Sequence, residues 1–240
     1  MTRLPGSHNG VPWRSHEISR IEALSDAVFA FAVTLLVVAL EVPHTFGELW
    51  EKMHGFFAFA ISFALLFQVW YTQHTFFRRY GLQDGMTVVL NGLLLFLVLF
   101  YMYPLKFLFS LLMNEMFGGG GVVRLADGSS VPMIANAAEA DMMMVIYGIG
   151  FGAIFTVFVL MYVHVLQKKT ELGLTEEEVF DCRGSLQENA LMVFIALLSL
   201  VVLWVTGSPG LTGMTYVLIA VAQTIHGAAR SSKRRRLFGS

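Results

Sequence analysis

The chain has 240 residues, 56% hydrophobic and only 14% charged, with a formal net charge of −1. Soluble domains carry roughly 25% charged residues, so the composition excludes an ordinary soluble domain and places the chain in the membrane class. The single cysteine, Cys182, excludes an intrachain disulfide framework and any multi-cysteine metal or redox motif, leaving a bystander thiol in a loop as the expectation.

Residues 1–19 are polar, broken by Pro5 and Pro12, and lack the apolar core and small-residue cleavage site of a leader; they read as a cytoplasmic tail. A spanning helix needs about 20 mostly apolar residues. Six segments meet or approach that requirement, at 21–41, 56–77, 86–109, 141–166, 189–206 and 211–228, within a transmembrane domain over 20–229. Helices are expected because an isolated strand in lipid leaves its backbone groups unsatisfied. Pro43 stops the first helix. The loop 110–140, with its glycine run, is expected to be external and flexible. In the loop 167–188, Thr175 caps a short helix whose first turn carries Glu176, Glu177 and Glu178, and this charge run reads as a solvated face. The last two spans form a tight hairpin through TGSPGLTG, and the basic segment 230–240 is a cytoplasmic anchor.

Orientation follows from lysine and arginine. With the N-terminus inside, only Lys52, Lys106 and Arg124 of the 16 fall outside, leaving thirteen inside, so both termini are expected in the cytoplasm. An even number of spans requires the same result.

Ionisable groups in a span mark candidate functional sites, because leaving them unpaired in hydrocarbon is costly. In the first span Arg20 and Asp26 are six positions apart, rotated by about 120° on a helix, so each needs partners on other helices. Gln73, His74 and Arg78 lie at a comparable depth of the second span and fit a helix-bracing network as well as a gating or proton-sensing one. Ala27, Phe31, Thr34, Leu35 and Val38 share one stripe of the first helix. Taken alone, that stripe suits a lipid- or helix-facing surface, with Thr34 bonded to the carbonyl four residues back. His164 and His226 sit at inner span ends, where snorkelling accounts for them. The histidines lack the core pairing that haem requires, and no P-loop, His-Glu-x-x-His or Gly-x-Ser-x-Gly motif supports an enzyme. No structural metal, organic cofactor or nucleic-acid partner is expected.

RIEALSDAVFAFAVTLLVVALEVP (20–43) resembles the signature first helix of the transmembrane protein 175 family of potassium channels. Arg20, Ser25 and Asp26 match the family motif, with Leu24 where phenylalanine is usual. WYTQHTFFRRY (70–80) and DGMTVVLNGLLLFLVLFYMYPLKFL (84–108) resemble the family's second and third spans, and three motifs in order are more specific than any one. The resemblance implies an all-α membrane protein with six transmembrane helices per chain and the first helix lining a central four-fold pore. For a chain without an internal repeat the resemblance implies a homotetramer in a bacterial plasma membrane, passing monovalent cations with K+ preferred. The resemblance puts the hydrophobic constriction at Phe31, Leu35 and Val38, the threonine layer past which K+ moves at Thr34, and a polar network at the inner mouth on Arg20, Ser25, Asp26 and His74. Phe31 stands where the family carries an aliphatic residue, and one hydroxyl ring implies modest selectivity over sodium. The alternative is a proton channel or proton-coupled transporter using Asp26 and His74; a non-conducting membrane scaffold is a third class.

Overall fold

The computed structural model describes residues 19–38, 45–46, 53, 56–116, 120–125 and 128–238. Its elements are α1 (Arg20–Val38), α2 (Phe56–Tyr80), α3 (Gly85–Met116), β1 (Val122–Arg124), β2 (Ser130–Pro132), α4 (Ala137–Gln167), α5 (Glu176–Thr206), α6 (Pro209–Thr215) and α7 (Val217–Phe238). The protein is an all-α membrane protein, and Gly85–Leu112, Ala137–Gln167 and Glu176–Thr206 are long and apolar enough to cross a bilayer. Pro43 and the histidines at 8, 16, 44 and 54 lie outside the described residues.

α1 packs against α2 and α3, α3 carries α4, and α4 forms its most extensive pairing with α5, onto which α6 and α7 fold. Ala32 and Leu36 of α1, Phe76 and Phe77 of α2, Leu94 of α3, and Phe158 and Met161 of α4 are buried in one continuous core. In lipid, helices associate through close packing rather than water exclusion, which favours small residues at contacts. The run Gly148–Gly152 of α4 shows this on two faces. A Cβ at Gly148 would stand 2.7 Å from Leu200 Cδ2 and one at Gly152 3.3 Å from Ala196 Cβ, both on α5, whereas one at Gly150 would strike the Tyr101 ring of α3. Tyr101 and Tyr147 complete the α3–α4 contact: Tyr101 Oη donates to Tyr147 O at 3.0 Å, and Tyr147 Oη donates to Pro104 O at 2.5 Å.

The structure departs from the expected elements in four places. The loop 110–140 is largely organised: α3 runs on to Met116, and an antiparallel hairpin pairs Val122 with Pro132 and Arg124 with Ser130. Asn114 holds that hairpin to α3 by bonds from its Nδ2 to Val122 O and to its Oδ1 from Val122 N. The fifth helix begins at Glu176, not near 189, because the expected short helix continues straight into the span. Thr175 and Glu178 form a reciprocal capping box at its start. Cys182 is consequently fully buried on α5, its Sγ facing Tyr162 O at 3.7 Å, and not in a loop. The final segment is interrupted at Tyr216, where α6 ends in three-residue hydrogen bonding before α7 begins.

The glutamate run and the basic C-terminal segment also find each other. Arg230 of α7 donates to Glu188 Oε1 at 2.7 Å and to Asp181 Oδ1 at 3.2 Å, and Arg234 pairs with Glu177. Glu178, turned inward as the cap, is 6% exposed. Of the run, Glu177 is therefore a partner of α7 and Glu178 a cap, while Glu176 stays exposed as expected, and the expected boundary at 229/230 falls inside a continuous helix.

Candidate functional site on the first helix

α1 opens with a reciprocal pair, Ser19 N donating to Glu22 Oε2 at 2.8 Å and Glu22 N to Ser19 Oγ at 3.2 Å, which satisfies orphan donors of the first turn. From there the helix has two chemically distinct faces. Glu22, Ser25, Phe29, Ala32 and Leu36 recur at spacings of three and four and are all buried. Across the helix, Ala27, Phe31 and Thr34 are exposed, Phe31 at 55%, and Leu35 is half-buried at the edge. Val38 ends α1, and its side chain lies outside the described residues.

The buried face is held by a polar chain across three helices. Ser25 Oγ donates to Ile21 O at 2.8 Å and accepts from Asn91 Nδ2 of α3 at 2.9 Å. Asn91 Oδ1 in turn accepts from Gln73 Nε2 of α2 at 2.9 Å. All three side chains are essentially inaccessible, so each bond replaces water that cannot reach the site. Beside them, Arg78 Nε lies 3.8 Å from Glu22 Oε1, joining the start of α1 to the end of α2.

A second connection runs over the rim of α1. Trp70 Nε1 donates to Asp26 Oδ1 at 2.7 Å, and the Trp70 ring stacks on His74 with centroids 5.2 Å apart. Trp70 thus stands between Asp26 and His74, at the end of an aromatic row that descends α2 through Phe59, Phe63 and Phe67. The expected polar residues are therefore divided. Asp26 and His74 meet through Trp70, Ser25 belongs to the separate chain with Asn91 and Gln73, and Arg20 is exposed at the first residue of α1. Sequence reasoning missed the mediating roles of Trp70 and Asn91. For Trp70 the signal was its spacing, one turn before His74 on the same face; for Asn91 it was an amide inside an apolar run.

Thr34 Oγ1 donates to Ala30 O at 2.9 Å, so the helix itself satisfies the proton. An oxygen so bonded keeps lone pairs directed outward, the kind of ligand that substitutes for a hydrating water around an alkali cation.

A third cluster ties α3 to α4 at the same end of the bundle. Asp84 Oδ1 accepts from Thr87 N at 3.4 Å and Thr87 Oγ1 at 2.5 Å, and Asp84 Oδ2 lies 2.7 Å from His164 Nε2 and 3.3 Å from Lys168 Nζ. Partial burial pushes the Asp84 carboxyl up, but the bonds from Thr87, His164 and Lys168 outweigh it and hold the group well below the ordinary carboxylate range. His164 is thus a hydrogen-bond partner of Asp84 and not a snorkelling side chain.

The profile of the family described as "Endosomal/lysosomal potassium channel TMEM175" matches residues 20–101, the stretch that contains α1 and both of its anchors. A protein of Marivirga tractuosa named "Potassium channel" is 39% identical over 238 residues, covering 97% of this chain and 96% of that one. Among solved structures, the potassium channel MtTMEM175, crystallised as a variant with a nanobody fusion protein, superposes with a TM-score of 0.79 at 38% identity, covering 95% of this chain and 99% of that chain. A lysosomal potassium-selective channel TMEM175 homologue from Chamaesiphon minutus shares the fold, with a TM-score of 0.57 at 24% identity over 88% of this chain and 99% of its own.

Proposed function

The chain belongs to the TMEM175 family of potassium channels, and from that premise we propose that it forms a homotetrameric, potassium-permeable channel with α1 lining a central four-fold pore. The observation that carries this reading is the division of α1. One face is locked into its own subunit by Ser25, Asn91 and Gln73, while the face bearing Phe31 and Thr34 is left uncovered by the chain that carries it. Four such faces around an axis make stacked rings. Phe31, Leu35 and Val38 form the hydrophobic constriction, which gates by dewetting, and the Thr34 hydroxyls supply oxygens to a partly dehydrated K+ between them. Asp26 and His74, joined by Trp70, brace the inner mouth with Arg20 at its rim and Ser25 behind it. In this reading the chain crosses a bacterial plasma membrane six times, α6 and α7 supplying the last crossing, with both termini cytoplasmic.

The test is potassium and sodium flux into liposomes carrying the purified protein. Thr34→Ala lowers the potassium-over-sodium ratio while conduction persists; an unchanged ratio removes Thr34 from the selectivity role. The Asp26–Trp70–His74 contact supports a second reading, a proton pathway through the same mouth. Flux that follows a pH gradient and ignores potassium would favour it.

A further inference from the structure

Between the ends of α2, α5 and α7 lies a cleft of about 550 Å³ whose walls carry Arg79, Arg230, Arg234 and Arg235 against the carboxylates of Asp181 and Glu188. The acids are already committed. Asp181 and Glu188 bind Arg230, with Asp181 O accepting from the same guanidinium at 3.0 Å, and Arg234 is held by Glu177 with its Nε 3.6 Å from Asp181 Oδ1. Gly184 of α5 leaves room for this docking, because a Cβ there would crowd the Arg230 guanidinium. Two arginines are left in surplus. Arg235 makes no ion pair among the described residues, and neither does Arg79, whose Nε is buried with no hydrogen-bond partner.

A half-buried guanidinium with no counter-charge is costly, and an anion in the cleft would pair with the part of Arg79 that lines it. The planar fork of arginine matches phosphate oxygens two at a time, and the hydroxyls of Thr75 and Ser231 on the same walls add uncharged donors suited to the remaining oxygens. The cleft is also at the level of the basic ends of α2 and α7, where headgroup phosphates lie if these ends are cytoplasmic. We propose that this cleft, centred on Arg79, is a binding site for a phosphate group, carried either by an anionic phospholipid headgroup or by a soluble phosphate. The site lies outside the proposed pore, and binding there can be measured without any flux.

The experiment uses the purified full chain, assembled as it is isolated, with two probes. One is phosphatidylglycerol against phosphatidylcholine in mixed micelles, read as retained lipid by native mass spectrometry. The other is inorganic phosphate against chloride at equal ionic strength, read as the shift in thermal midpoint. Arg79→Gln is compared with Arg183→Gln, an exposed arginine of α5 that does not line the cleft. The expected result is about a tenfold or greater loss of phosphatidylglycerol retention in Arg79→Gln alone, the scale of one charge-assisted contact. Unchanged lipid retention with a phosphate-dependent midpoint shift abolished only by Arg79→Gln would assign the site to a soluble phosphate. If neither probe separates Arg79→Gln from the wild type, the proposal is overturned. Should Arg79→Gln not fold, Arg235→Gln on the exposed rim decides by the same readouts: reduced binding of either probe upholds the site, and unchanged binding of both refutes it.

Discussion

Replacing Asn91 with leucine removes the middle member of the chain that fixes α1 to α2 and α3. Two hydrogen bonds of 2.9 Å disappear, and the two ends fare differently. Ser25 Oγ keeps its bond to Ile21 O, whereas the Gln73 amide, 1% exposed, is left with a donor that water cannot reach. A stranded buried donor costs about 1–3 kcal/mol. For a chain of this size each kcal/mol moves the thermal midpoint by about 2–4 °C, so Asn91→Leu should lower it by roughly 2–12 °C. The partner change Gln73→Met is the control, since replacing both partners with apolar groups of similar shape is close to neutral. The double variant should therefore be more stable than the sum of the single losses predicts. Thermal unfolding of the detergent-solubilised protein, read as a double-mutant cycle, measures this coupling directly. Strict additivity, or no loss from Asn91→Leu alone, would show that the chain does not hold α1 in place.

Three further outcomes follow from other contacts. Because the folded-state pKa of Asp84 is depressed, its contribution to stability is present above the ordinary carboxylate pKa of about 4 and is lost as pH falls below it. Asp84→Asn should flatten the dependence of thermal midpoint on pH below about 5, and an unaltered pH profile would refute the assignment. Gly184→Ala crowds the Arg230 guanidinium with a Cβ, so it should detach the basic half of α7 from α5. Faster hydrogen exchange over 217–238 with α4 unchanged is the expected reading, and unchanged exchange would count against the docking. In the proposed pore, Phe31→Ala widens the constriction and should raise potassium flux in liposomes; a fall in an intact assembly would remove Phe31 from the gate.

Much of the helical plan was legible in the sequence because hydropathy is a one-dimensional property. The cores of α3 and α4 lie where the apolar runs do, since long stretches without charge have only one stable backbone form in lipid. Charged segments were misread for the complementary reason. Glu177 resembles part of a solvated surface when seen alone, and Arg230 and Arg234 resemble a membrane anchor; with Asp181 and Glu188 the pattern closes. They become a docking surface only because α5 and α7 run side by side, bringing together residues more than forty positions apart. His164 was misread in the same way, for want of Asp84, which lies 80 positions earlier.

The first helix divides along the same line. Composition and motif order alone determined that this chain is a membrane protein with the TMEM175 signature on α1, because both depend only on which residues follow one another. The spacing of Phe31 and Thr34 also put them on one stripe, yet periodicity cannot say whether a stripe meets lipid, another helix or a pore. Tertiary structure decided which face turns inward: Asn91 and Gln73, contributed by two other helices, capture Ser25 and bury its side of α1. Buried polar groups must be paired, and a helix has only one rotation that pairs them. That rotation leaves Phe31 and Thr34 pointing away from the helices that hold α1.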